Sequence, residues 1–159
     1  MTIQIGDPIP SASLNVLRNG VQAISTEEIF GGRKVVLFSV PGAFTPTCSA
    51  RHLPGYVEHF EDFRKRGVDI ACIAVNDAYV MDAWAKTQNV PEGLMMLADG
   101  NGAFAQLLGL EMDASRFGMG VRGKRFALYA EDGVVKKLAI EAPGEFTVSD
   151  AQSMLTAIA

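Results

Sequence analysis

The stretch PGAFTPTCSARH, residues 41–52, holds one of only two cysteines in the chain, Cys48. Pro41 and Pro46 fix φ around a glycine-bearing turn and stiffen the loop. Pro41 also stands where it could shield the thiol from bulk water. Thr45 and Thr47 bring two hydroxyls close to the sulfur in sequence. A hydroxyl accepts a hydrogen bond from one partner while donating to another. A thiolate attacking an O–O bond needs such groups, because one oxygen must be held and the departing oxygen needs a donor. A thiol beside such a turn is expected to be reached rather than hidden. The competing reading makes Cys48 a small apolar residue filling a gap beneath a helix.

How the thiol is presented depends on the flanking elements. KVVLFSV (34–40) is an almost continuous apolar run, the pattern of a strand buried on both faces. Residues 49–66 are long enough for a helix, interrupted at Pro54 and Gly55. Arg64, Lys65 and Arg66 followed by Gly67 read as its solvated end. With the helix beginning near Thr47, Cys48 falls in the first turn. There, unpaired backbone N–H groups and the macrodipole favour an anion, and the thiolate is the nucleophile. DIACIAV (69–75) reads as a second buried strand and places Cys72 in the core as an inert thiol.

Downstream, Asn76 or Asp77 caps a helix running to about Asn89, with Met81 and Trp84 on one face. Pro91 ends that element. LMML (94–97) is a third apolar run, and Gly102 to Leu108 a short helix. RFALYA (125–130) and VVKKLAI (134–140) flank Glu131-Asp132-Gly133, a hairpin turn. Ser149 reads as the cap of a last helix. Strands alternating with helices, then a hairpin, predict an α/β domain with a mixed sheet. A thioredoxin-like fold fits that pattern, and so does a flavodoxin-like sheet. Asp99-Gly100-Asn101-Gly102 is turn chemistry, so no phosphate loop supports the nucleotide-binding version.

The 159 residues suit one domain spanning 1–159, and 48% hydrophobic content predicts an ordered core. A net charge of −4 without a basic stripe argues against nucleic acid. No apolar run approaches the roughly 20 residues of a membrane helix, and MTIQIGDPIP lacks the features of a signal peptide. A cytoplasmic location is therefore expected. Two cysteines are too few for a disulfide framework, and no C-x-x-C is present. His52 follows Cys48 by one helical turn, but only His59 remains as a further histidine, so no metal site is expected. Both histidines read as helix-surface or groove residues, with His52 a candidate for tuning the pocket. Phe44, Phe117 and Met119 read either as apolar walls of a pocket or as ordinary core or dimer contacts.

The pattern P-x-x-x-T-x-x-C, here Pro41, Thr45 and Cys48, resembles the active-site signature of the peroxiredoxins. PGAFTPTCS resembles the type II (atypical) branch. VNDAYVMDAW, ADGNGAFAQLLGLEMD, GVRGKRFALYAEDGVV and GEFTVSDAQSML resemble further segments of that branch in the same order. The resemblance implies a thiol peroxidase on a thioredoxin-like fold, without a cofactor. Cys48 would attack hydrogen peroxide or an alkyl hydroperoxide and become a sulfenic acid. Thr45 would bond the sulfur and the peroxide, and Pro41 would shield the pocket. Backbone N–H groups of Gly42, Thr47 and Cys48 would hold the oxygens. Arg116, Arg122 and Arg125 are all candidates for a guanidinium at the site. Arg125 matches the family's catalytic arginine, whereas Arg116 and Arg122 read as surface residues; an ion pair is the alternative for Arg125.

Some members of the branch have been assigned a resolving cysteine matching Cys72. Others carry one in the segment matching GEFTVS, which here has none. A one-cysteine cycle follows, with glutaredoxin and glutathione, or thioredoxin, as reductant, and a homodimer is the implied state. A thioredoxin-fold peroxide sensor that passes oxidation to a partner protein is the alternative function.

Overall fold

The computed structural model describes all residues 1–159. The apolar runs become β3 (Lys34–Ser39), β4 (Val68–Ala74) and β5 (Met95–Ala98), which lie parallel in the order β5-β4-β3. Strands buried on both faces need apolar residues at consecutive positions. Val35 and Leu37 of β3 enter one core, while Val36 and Phe38 enter the other. β8 (Phe126–Glu131) and β9 (Val134–Ile140) add an antiparallel hairpin beside β3. Its turn uses Asp132 and Gly133 at φ of 47° and 76°. Two left-handed residues match the strand twist there.

The sequence reading leaves residues 1–33 unassigned, yet β1 (Ser13–Leu17) and β2 (Val21–Ser25) form an antiparallel hairpin around Asn19-Gly20. β1 pairs with β5, so the seven-stranded order is β2-β1-β5-β4-β3-β8-β9. The Asn-Gly pair was the available signal. A capping box between Ser25 and Glu28 starts α1 (Thr26–Phe30). A second small hairpin joins β6 (Glu111–Asp113) to β7 (Val121–Gly123). This is a mixed sheet flanked by helices, a thioredoxin-like fold.

The long helix expected over 49–66 is divided. A π-helical segment, Cys48–His52, precedes α2 (Leu53–Glu58) and α3 (Phe60–Lys65). Pro54 lacks an N–H, so the turn before it cannot close in the ordinary way, and a wide turn absorbs the mismatch. The Leu53 N–H donates to the Cys48 carbonyl, five residues back. α4 (Ala78–Thr87) is capped by the Asp77 side chain, and α5 (Ala103–Leu108) begins after Gly102. No helix is long and apolar enough to cross a membrane.

The last helix, α6 (Ala151–Ile158), is capped by Asp150, whose carboxylate accepts from the Ser153 N–H. The expectation that Ser149 is the cap is therefore displaced by one residue. Ser149 is instead turned inward and fully buried. The Glu141 carboxylate, after β9, accepts from the N–H groups of Thr147, Val148 and Ser149 and from the Ser149 hydroxyl, at 2.7–3.0 Å. Burial works to raise the Glu141 pKa, but these donors outweigh it and hold the group below the ordinary carboxylate value.

A carboxylate with several donors is hard to replace, because an amide presents N–H to N–H. Glu141→Gln is expected to cost about 2 kcal/mol in urea unfolding at neutral pH. The folded pKa is depressed, so the stabilisation is present above the ordinary carboxylate value and is lost as pH falls through the folded value. The deficit of the variant should therefore shrink below about pH 4. An equal deficit at neutral and acid pH would show that the carboxylate charge is not what ties this loop.

Candidate active site

After β3 the chain turns through Pro41–Thr45, and three tethers hold this turn. The Ala43 N–H donates to the Asn76 side chain at 2.9 Å. The Thr45 hydroxyl donates to the Gly42 carbonyl at 2.6 Å. Arg122 donates through Nε to the Met119 carbonyl at 2.9 Å and through one terminal nitrogen to the Pro41 carbonyl at 3.4 Å. A Cβ on Gly42 would lie 3.0 Å from an Arg122 nitrogen and 3.1 Å from the Thr45 methyl group, so the turn has little room for a side chain. Arg122 is half-buried and fastened to the turn, not a free surface residue as the sequence suggested. Its tie to Pro41 joins residues 81 positions apart, which no local pattern announces.

Helical backbone begins at Pro46, and the Thr45 carbonyl accepts from the Ser49 N–H at 2.9 Å. Cys48 therefore stands in the first turn, as expected. On the other side, the Trp84 indole of α4 donates to the Ser49 hydroxyl at 2.9 Å. The expectation that the thiol is accessible is overturned, because Cys48 has 0% exposure. It belongs to the cluster of Phe38, Leu53, Tyr56, Cys72 and Trp84. The turn carries the thiol over the end of the sheet, and packing closes around it.

Burial alone would fit a core-filling thiol. The arginine does not fit that reading. Arg125 directly precedes β8, and β8 pairs with β3 so that Phe126 lies opposite Ser39. That register brings Arg125 to the sheet end that carries the Cys48 turn. One terminal nitrogen of Arg125 donates to the Cys48 sulfur at 3.2 Å. The other donates to Nδ1 of His52 at 2.8 Å. No carboxylate pairs with this guanidinium, which removes the ion-pair alternative. The Phe146 ring centroid lies 5.7 Å from its central carbon.

His52 is fully buried, so of the surface and groove positions expected for it the surface one is overturned. A guanidinium only donates, so Nδ1 must accept. Nε2 then carries the proton and donates to the Ser149 carbonyl at 3.1 Å. Burial, and next the Arg125 charge, push the His52 pKa down to about 3. Both ring nitrogens are engaged, so His52 cannot also serve as a metal ligand. The Tyr56 hydroxyl donates to the same Ser149 carbonyl at 2.7 Å. The inward-turned Ser149 and its anchor Glu141 were missed in the sequence. The i, i+4 spacing of Cys48 and His52 was the only local hint.

The remaining candidates divide. The Thr45 hydroxyl proton goes to Gly42 and not to the sulfur, so only its lone pairs face outward for a ligand. Thr47 is half-buried, and Phe44 and Phe117 are exposed, with Met119 half-buried near Gly42. Arg116 lies over the Phe117 ring at 5.0 Å, on the surface as expected. His59 pairs with Asp62 on the helix surface. Cys72 is fully buried in β4 between β3 and β5, and burial, then the neighbouring Cys48, push its pKa far up. Both cysteines are free thiols.

Comparison with known proteins identifies the family. The Redoxin family model matches residues 4–155. The chain is 45% identical to the chloroplastic peroxiredoxin-2E of Arabidopsis thaliana, over 99% of this chain and 70% of that protein. The structure of reduced Prx3 from Vibrio vulnificus in complex with hydrogen peroxide superposes with a TM-score of 0.95 at 47% identity, covering 99% of this chain and all of that one. The Plasmodium falciparum antioxidant protein, a 1-Cys peroxiredoxin, gives 0.91 at 31% identity, covering 98% of each chain. A thiol set at a helix start and faced by an unpaired guanidinium, within that fold and at those identities, places the chain in the redoxin family as a type II peroxiredoxin, a thiol peroxidase.

Proposed function

We propose that Cys48 is the peroxidatic nucleophile, that hydrogen peroxide and alkyl hydroperoxides are its substrates, and that an external thiol regenerates it. The contact that carries this reading is the Arg125 nitrogen 3.2 Å from the sulfur, with no carboxylate to neutralise it. A guanidinium and a helix start both favour the thiolate. The hydrogen peroxide held by the Vibrio vulnificus relative supports the same substrate class.

In the proposed step the thiolate attacks one peroxide oxygen, and an S–O bond forms as the O–O bond breaks. The electron pair leaves with the distal oxygen, which takes a proton and departs as water or alcohol. The sulfur is oxidised to a sulfenic acid and the peroxide is reduced. Arg125 donates to the oxygens as charge moves between them. Thr45, with its own proton bound to Gly42, accepts the peroxide O–H and orients it. The N–H groups of Gly42, Thr47 and Cys48 supply further donors, and Pro41 walls the site.

The regeneration we propose uses one cysteine. Cys72 sits in a central strand with its thiol held protonated by burial, a poor nucleophile toward a sulfenic acid. GEFTVS carries no second thiol. Glutaredoxin with glutathione, or thioredoxin, then reduces Cys48. A homodimer in the cytoplasm completes the reading. Exposed Phe44, Phe117 and Val121 support the dimer, and two free thiols support a reducing compartment.

Cys48→Ser should abolish peroxide consumption, and Arg125→Met should lower the second-order rate on the order of a hundredfold. A full rate in either variant would refute the assignment of that residue. For the cycle, Cys72→Ser should keep turnover within about twofold of the wild type with glutathione and glutaredoxin, or with thioredoxin. An equimolar dose of peroxide should place a sulfenic-acid trap on Cys48 alone. Loss of turnover in Cys72→Ser with every reductant, or an intramolecular disulfide by mass, would make Cys72 a resolving thiol.

A further inference from the structure

We infer that Arg122 is a positioning residue for the peroxidase reaction: by holding the Pro41–Gly42 peptide it keeps the Gly42 carbonyl on the Thr45 hydroxyl, so that Thr45 meets the peroxide as an acceptor. This role rests on the reading of Cys48 and Thr45 given above, and deepens it.

A hydroxyl has one proton to give. In Thr45 that proton goes to the Gly42 carbonyl at 2.6 Å. The oxygen then has only lone pairs to offer a peroxide O–H. The arrangement lasts while the Gly42 carbonyl stays in place, and glycine is the residue least able to hold its own backbone. The restraint comes from outside. The Pro41 carbonyl and the Gly42 nitrogen share one planar peptide, and a terminal nitrogen of Arg122 donates to that carbonyl at 3.4 Å. The same nitrogen lies 3.0 Å from where a Cβ of Gly42 would stand, with the Thr45 methyl at 3.1 Å and the Met119 methyl at 3.2 Å. These three groups fill the side-chain space of Gly42, so its backbone has no room to swing on that side.

Arg122 is itself held. Its Nε donates to the Met119 carbonyl at 2.9 Å. Two residues further on, the Lys124 carbonyl accepts from the buried Ser39 hydroxyl at 2.8 Å, and Ser39 stands two residues before Pro41. The end of β7 is thereby fastened to the end of β3, and Arg122 reaches Pro41 from a rigid base. No carboxylate pairs with Arg122. Its donors serve two backbone carbonyls instead, a task that suits a planar fork better than an ammonium.

A double-mutant cycle in full-length protein tests this role. Arg122→Met removes the donors, Thr45→Val removes the hydroxyl but keeps the shape, and a third protein carries both changes. Arg122→Lys keeps the charge without the fork. The readouts are thermal melting, the second-order rate with hydrogen peroxide, and the pH profile of Cys48 alkylation.

Arg122→Met is expected to lower the peroxide rate about tenfold. Its alkylation profile should not move to higher pH, because Arg125 still faces the sulfur. Arg122→Lys should recover only part of the lost rate. On the Thr45→Val background, Arg122→Met should cost less than about twofold more. Where Arg122→Met does not fold, Arg122→Lys takes its place in the cycle. Three outcomes would overturn the inference while Thr45→Val is slow. One is a folded Arg122→Met or Arg122→Lys protein with the wild-type rate. Another is an undiminished loss on the Thr45→Val background. The third is a profile moved to higher pH, which would make Arg122 a charge acting on the thiol. A wild-type rate in Thr45→Val would instead remove the residue through which Arg122 acts, and with it the reading of Thr45.

Discussion

One charged contact sets the terms for the rest of this structure. A guanidinium stands 3.2 Å from a fully buried sulfur, and no acid is paired with it. Placing a cation beside a thiol in a packed interior carries a desolvation cost that only good hydrogen bonding offsets. The surrounding residues meet that requirement with uncharged groups. Arg125 is half-buried, is bonded to His52, and has the Phe146 ring beside it. The result is a local positive field that both the sulfur and the imidazole feel.

The fold brings these groups together by sheet register. β3 delivers the Cys48 turn and its neighbour β8 delivers Arg125 to the same end, because Ser39 and Phe126 are partners. β9 then leads to Glu141, whose N–H donates to the Arg125 carbonyl at 3.0 Å. The Glu141 side chain gathers the segment that ends at Ser149, and Ser149 anchors His52. Arg125, Glu141, Ser149 and His52 thus form a closed chain of hydrogen bonds that returns to the Cys48-bearing helix. Its members come from three separate stretches of sequence, so packing rather than local propensity keeps it in place.

The helix that carries Cys48 also departs from ideal geometry where the chemistry lies. The wide turn from Cys48 to His52 accommodates Pro54, and it spans both the thiol and the histidine hydrogen-bonded to Arg125. Trp84 of α4 braces it at Ser49, and Asn76, just after β4, holds the preceding loop at Ala43. Rigidity here is useful because a nucleophile acts through orientation as well as charge.

Much of this was legible in the order of residues. Runs such as KVVLFSV and DIACIAV declare strands buried on both faces, since they are continuous, apolar, rich in β-branched residues and too short for a buried helix. Proline, threonine and cysteine at their spacings in PGAFTPTCS declare a stiff turn with a thiol at a helix start. The N-terminal hairpin, although marked by Asn19-Gly20, was not read, because its short strands are half-exposed and their pairing with β5 is not local. The burial of Cys48, the inward turn of His52, the Arg122 tie to Pro41 and the role of Glu141 were decided only by tertiary structure. The first three depend on contacts between residues dozens of positions apart and the last on a loop folding back on its own carboxylate, whereas a sequence pattern describes one element at a time. Composition and periodicity thus determined which elements form and which residue could be a nucleophile. Sheet register and packing decided which cation faces the sulfur, what holds that cation, and that no acid stands beside it.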